Sequence, residues 1–211
     1  MIDELAGLPL ARVPVQARSR QKVLRALEAA EAVSAEHGLG AVNLNRIAAD
    51  AGVSVGTLYQ YLPSGDAIAA ALVVRHHQRL EAAMDEFVDR MEADAQDPGV
   101  SAGVEADPGA AAETVLDAII AVSDQERDLR TLREVTGQVV ADIRAAHKRR
   151  MREKVARMLL AGGVDPERAP TAATIIFGAC DAVLHDETHS ETELRRFQRT
   201  YLTDLVKSGP A

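Results

Sequence analysis

The sequence has no tryptophan, six aromatic residues in 211 and one cysteine, Cys180. Its core must therefore rest on Ala, Leu, Val and Ile, and the chain is long enough for folding to bury roughly 70% of its unfolded surface. A single cysteine excludes an intramolecular disulfide and a cysteine-based zinc cluster, and it suits a reducing compartment. No apolar run reaches the ~18–20 residues of a membrane span. The opening residues lack the basic, apolar and small-residue order of a secretory signal. These absences predict a cytoplasmic protein with no membrane partner. Positive charge is scarce too: 24 Lys and Arg against 32 Asp and Glu leave -8, which rules out uniform wrapping of nucleic acid and confines any phosphate contact to a local basic patch. Sustained two-residue alternation is missing, so no sheet is expected. There is no His-Glu-x-x-His or Glu-x-x-His pair, no nucleophile elbow and no glycine-rich phosphate loop. The expectation is no enzyme, no cofactor and no metal site.

What is present is uneven. Arg12, Arg18, Arg20, Lys22 and Arg25 follow one another with no acid between them, whereas residues 66–211 hold 18 bases and 26 acids. Residues 1–65 balance at six of each. This separation predicts a small N-terminal module that approaches a polyanion and a larger acidic body that does not.

Periodicity reads as helix almost throughout, giving an all-α fold of about nine helices. The first runs from a cap at Ser19 to His37-Gly38, the second over about 44–51 behind Asn43, the third over about 55–62 behind Ser54. A long helix follows from Ser64 or Asp66 to about Asp94, with Val73, Leu80, Met84, Phe87 and Met91 on its apolar line. The Gly- and Pro-rich stretch 97–109 reads as a flexible loop. Helices are expected again over about 110–122, from the capping box Ser123-x-x-Glu126 to about 136, over 138–160, from Asp165-Pro166 to about 186, and from Ser190-x-x-Glu193 onward. The domain reading is a mobile basic arm (1–17), a helix-turn-helix domain (18–65) and a helical effector-binding and dimerisation domain (66–211).

The second and third helices, joined by Gly52-Val53-Ser54, have helix-turn-helix dimensions. Around the third helix, Val55, Leu58 and Leu62 fall on one side and are expected to pack inward, while Gly56 and Gln60 lie opposite, flanked by Thr57 and Tyr59. Tyr61 lies nearer the inner edge. Gly56 costs roughly 1 kcal/mol relative to Ala in a helix, so its place on the outer face calls for a reason, and close approach of a partner supplies one. Gln60 can pair with an adenine edge, and Tyr59 and the Thr57 methyl can meet a thymine methyl. Asn45 can reach a base or phosphate, Arg46 can clamp phosphate, and Arg18, Arg20 and Lys22 can meet backbone or enter a minor groove. The plainer alternative is a surface helical hairpin whose tyrosines cover the core.

The run Arg46-Ile-Ala-Ala-Asp-Ala-Gly-Val-Ser-Val-Gly-Thr-Leu-Tyr-Gln-Tyr-Leu-Pro-Ser64, within residues 20–68, resembles the N-terminal domain of TetR-family transcriptional regulators. The resemblance implies that Val55–Tyr61 is the recognition helix, that Asn43 and Asn45 match a cap and a DNA-facing position, and that Thr57 and Tyr61 match phosphate-contacting positions. Ser54, Val55, Gly56, Tyr59 and Gln60 complete the expected DNA-binding set. Leu62 stands where the family usually has Phe. Gly65 stands where Lys is common, which predicts one phosphate contact fewer and a salt slope lower by about one.

The resemblance also implies a homodimer formed through the last two helices, a palindromic double-stranded operator and a small-molecule effector bound in the body. Candidate dimer residues are Ala172, Ile176, Ala179, Cys180, Val183, Phe197 and Tyr201. Candidates for the ligand pocket are His77, Asp117, Gln138 and His147, although a hydrogen-bonded structural histidine is the plainer reading of His77. The function expected is a ligand-responsive repressor. The alternatives are a helical protein-binding scaffold and, less favoured, a helical enzyme.

Overall fold

The computed structural model describes residues 5–96, 117–118 and 137–184, with 180–184 as backbone only, and residues 192, 196, 200, 201 and 204. Among these there are six α-helices, one short 3-10 turn and no strand. The helices are α1 (Ala17–His37), α2 (Leu44–Asp50), α3 (Val55–Tyr59), α4 (Gly65–Gln96), α5 (Gln138–Ala161) and α6 (Ala169–Leu184). Residues 117, 118, 192, 196, 200, 201 and 204 are also helical. The expected loop at 97–109, and the remainder of the helices expected near 110–122, 123–136 and after 190, lie outside the described residues.

Helix boundaries follow local chemistry. The N–H groups of Ser19 and Arg20 both donate to the Gln16 carbonyl (2.9 and 3.0 Å), so α1 starts at Ala17 and Ser19 lies inside it rather than capping it. The Asn43 carboxamide accepts the Arg46 N–H at 3.0 Å and caps α2. That helix ends in a Schellman motif: Val53 N–H bonds the Ala48 carbonyl (2.9 Å) and Gly52 N–H the Ala49 carbonyl (3.1 Å), with Gly52 at φ 63°, where glycine is favoured. Ser54 Oγ accepts the Thr57 N–H at 3.2 Å and caps α3. The third helix ends at Tyr59, earlier than its apolar spacing implies. Pro63 disfavours helical geometry at Leu62, and the last turn tightens, with the N–H groups of both Tyr61 and Leu62 donating to the Leu58 carbonyl. Ser64 Oγ accepts the Ala67 N–H (3.1 Å) at the head of α4.

The chain forms two compact units, Met1–Arg79 with Glu126–Ala145 and Leu80–Gln125 with Ala146–Ala211. In the first, α1, α2 and α3 pack on one another around Leu27, Ala30, Ile47, Leu58, Leu62, Ile68 and Leu72. Glu31 on α1 pairs with both Arg75 (3.3 Å) and Arg79 of α4. Leu5 and Leu8 also enter this core, Ala6 O accepts from Gln78 Nε2 at 2.7 Å, and the Ala11 N–H donates to the Tyr61 carbonyl at 2.9 Å. The segment expected as a mobile arm is thus anchored from residue 5, because its two leucines are apolar enough to be drawn under the helices.

The second unit has its own core, Leu80, Met84, Val88, Met151, Val155, Met158, Ala172 and Ile176 among others. A ladder of ion pairs joins α4 to α5: Glu81 with His147 and Arg150, Asp85 with Lys154, Glu92 with Arg157. Partner numbers rise together along both helices, so these stretches run parallel. A second Schellman motif, with Gly163 at φ 85° and Val164 N–H on the Leu159 carbonyl (2.9 Å), closes α5.

Candidate nucleic-acid interface

The α2–α3 pair divides its residues cleanly. Ile47, Ala48, Leu58 and Leu62 are buried, while Asn45, Ser54, Gly56, Tyr59 and Gln60 are exposed. Tyr59 shows 61% of its surface to solvent, a large amphipathic ring left unburied in a chain with few aromatics. Burial there would stabilise the fold by roughly 1.5–3 kcal/mol, so intramolecular packing does not account for its position. Gly56 sharpens the point: a Cβ on it would meet nothing within 4 Å, and its φ is not positive. Neither the backbone nor a neighbouring side chain requires glycine, which leaves the approach of an external surface. Gly56→Ala is therefore expected to raise folding stability by about 0.5–1 kcal/mol and yet weaken binding to specific DNA. Thermal melts and duplex titrations check the two signs separately, and a gain in both would remove the argument from Gly56.

Several expected contacts fall differently. Val55 is 41% exposed and lies beside Gly56 on the outer face; the first turn of α3 projects beyond the core, so its side chain is available to a thymine methyl. Tyr61, expected to meet phosphate, packs within the first unit's core and is 8% exposed. Asn43 spends its carboxamide on the Arg46 N–H and the Ala41 carbonyl, so it holds the turn in place. Thr57 is half-buried, with its hydroxyl 2.8 Å from that of Ser54. Arg46 Nε lies 3.8 Å from Asp50 on the next turn, a half-exposed pairing weak enough to be exchanged for phosphate. Arg18 is exposed and Arg20 half-buried on the first turn of α1. At Gly65 an added Cβ would start 3.2 Å from the Val42 carbonyl, so a longer side chain at this position displaces the loop before α2.

The ligand-pocket candidates differ in setting. His77 is buried in the first unit, Asp117 is exposed, and Gln138, exposed at the head of α5, donates to Asp142 at 2.8 Å. His147 is buried in the ladder, its Nδ1 2.7 Å from Glu81 Oε1, while Arg150 Nε donates to Glu81 Oε2, also at 2.7 Å. Burial alone raises the Glu81 pKa, but the hydrogen bonds from His147 and Arg150 outweigh it and hold the carboxyl at about 2, below its ordinary 4.5. The depressed value means that this stabilisation is full above about pH 4.5 and is lost as pH falls toward 2. Glu81→Gln is expected to lower stability by on the order of 1–2 kcal/mol at neutral pH, partial exposure discounted. Denaturant titrations at successive pH values should show the gap between variant and wild type narrowing on acidification; a pH-independent gap contradicts the assignment. Glu81 carried no sequence signal of its own. Only the shared four-residue spacing of Glu81 and Asp85 on one helix and of Arg150 and Lys154 on the other could have pointed to it.

Of the dimer candidates, Ala172 and Ile176 are buried within the single chain's second core, where the small side chains of α6 admit close packing. Ala179 and Tyr201 are half-buried, and among the described side chains of α6 the outward residues are Pro170, Thr171, Thr174, Ile175 and Gly178. Side chains of Cys180, Val183 and Phe197 lie outside the described residues.

A capped helix-turn-helix on a closed core, with an aromatic and amide face turned outward, defines a DNA-binding regulatory domain. The family model described as bacterial regulatory proteins, tetR family, matches residues 26–72. The match covers the helix-turn-helix and the helices flanking it, so this part of the chain is similar to that family's DNA-binding domain. No curated protein sequence matches the chain. Similar solved structures include one reported as a transcriptional regulator from Pseudomonas aeruginosa PAO1 (18% identity, 92% of this chain and 93% of that one, TM-score 0.60). They also include the multidrug binding protein EbrR complexed with imidazole (20%, 90% and 97%, TM-score 0.55) and a complex of SmeT with triclosan (23%, 88% and 89%, TM-score 0.50). At these identities the likeness is one of fold. Among the described residues no helix is long and apolar enough to cross a membrane.

Proposed function

We propose that this regulator works in the cytoplasm as a homodimeric repressor, binding a palindromic operator through α3 and leaving it when a small-molecule effector binds the helical body. The observation that carries the reading is the outward set Val55, Gly56, Tyr59 and Gln60 on and just after a short helix that Leu58 anchors in the core. One such head offers too little surface for tight specific binding, and two heads on a two-fold axis read half-sites one or more helical turns apart. Two neighbours of the same fold are recorded with small molecules, triclosan and imidazole, which supports an effector held in the body. The effector must favour a head spacing mismatched to the operator, with a coupling of typically ~1–3 kcal/mol. The direct test is selection of duplexes from a randomised pool, followed by mass measurement of the complex. The reading expects an inverted repeat and two chains per site; a non-repeated site bound by one chain contradicts it.

A further inference from the structure

Between the anchored residues 5–11 and the start of α1 lies Arg12-Val13-Pro14-Val15. Val13 is 66% and Val15 89% exposed, whereas Pro14 between them is buried. This alternation puts both valines on the outer side of one short segment. Scattered single exposed valines need no explanation. Here two stand together on a segment held at both ends, by the Ala11 N–H on the Tyr61 carbonyl and by α1. Tyr61 is two residues beyond Tyr59, so the segment is tied to the exit of the reading helix. Along the chain the charge is of one sign: Arg12 opens the segment and Arg18 follows it, both exposed, and no acid occurs from Leu5 to Leu27.

We propose that Arg12-Val13-Pro14-Val15 is a fixed wedge that enters the minor groove beside the half-site and senses the deformability of the flanking base steps. The inference rests on α3 being the reading helix. Valine has no affinity for phosphate, but apolar side chains pressed into a minor groove separate base steps and favour steps that unstack cheaply. The adjacent arginines supply attraction to the narrow, electronegative groove. The strap of residues 5–11 means that little ordering entropy is lost on insertion, in contrast to a free arm. Among occupants of an apolar patch, a duplex is favoured by the acid-free stretch of bases on either side. The acidic remainder of a second copy offers no preference for the valines themselves.

The test is parallel selection from one randomised duplex pool by wild type, Val13→Ala/Val15→Ala and Tyr59→Ala/Gln60→Ala. The wedge predicts that wild type and the valine variant enrich the same central half-sites, and that only wild type enriches preferred steps outside them. On the wild-type-selected duplex the valine variant binds about tenfold more weakly, with an unchanged salt slope because no phosphate contact is lost. Both valines are exposed, so the melting temperature stays the same. Identical flanks and affinity for the two proteins overturn the wedge while leaving the reading helix intact, and so does a variant that keeps its flanks but fails to dimerise. Unchanged central half-sites for the Tyr59→Ala/Gln60→Ala protein overturn the reading helix, and the wedge with it.

Discussion

Tyr59→Ala/Gln60→Ala is expected to lower affinity for a selected operator roughly a hundredfold, and to change affinity for random duplex no more than about threefold. Each good base contact contributes about 1–3 kcal/mol of discrimination, whereas sequence-independent affinity comes from cations on phosphate. Neither side chain is a cation, and both are exposed, so folding and phosphate attraction are left alone. Fluorescence anisotropy with the two labelled duplexes at one salt concentration reads the ratio. Arg46→Ala should do the opposite, weakening both duplexes alike and lowering the salt slope by about one. Equal losses on both duplexes for the Tyr59 and Gln60 variant would remove α3 from the base-reading role.

Leu58→Ala carries the largest expected cost to folding. Leu58 is buried at the centre of α3, and its carbonyl accepts from both Tyr61 and Leu62. Truncation removes its packing against the other helices and leaves a cavity that the small head has little means to close, for about 2–5 kcal/mol. That is a large part of the stability of an ordinary domain. Denaturant unfolding should show the midpoint fall sharply for Leu58→Ala and barely move for Leu160→Ala, whose residue is 43% exposed on α5. DNA affinity should fall with Leu58→Ala on operator and random duplex together, because the whole head is lost. That common loss distinguishes a fold defect from the selective defect at Tyr59 and Gln60.

Features set by neighbours in the chain were legible from the sequence. The Asn43 and Ser54 caps, the Gly52 turn, the outward Gly56 and Gln60 and the two long helices α4 and α5 depend on contacts a few residues apart, and each follows from side-chain type and spacing. Features set by distant partners were not. Nothing near Leu5 and Leu8 signals the core that receives them, and the arm looks free until Gln78 and Tyr61 are brought beside it. Val55 shares a helical face with Leu58, yet α3 is so short that its first turn outreaches the core. Tyr61 was assigned to DNA on resemblance, and its burial depends on a last turn drawn in ahead of Pro63. Ala172 and Ile176 present the same small-residue face whether the partner is another chain or the chain's own α4 and α5. The parallel ladder from Glu81 to Arg157 needs both helices placed before its charges can be matched.

The central claim, that residues 44–62 read base sequence, is tested most directly by the ratio of wild-type affinities for a selected duplex and a random duplex of equal length at physiological salt. The account predicts a ratio of about a thousand or more, together with a steep fall of both affinities as salt rises. A ratio near one, or no binding to either duplex at low salt, would contradict it.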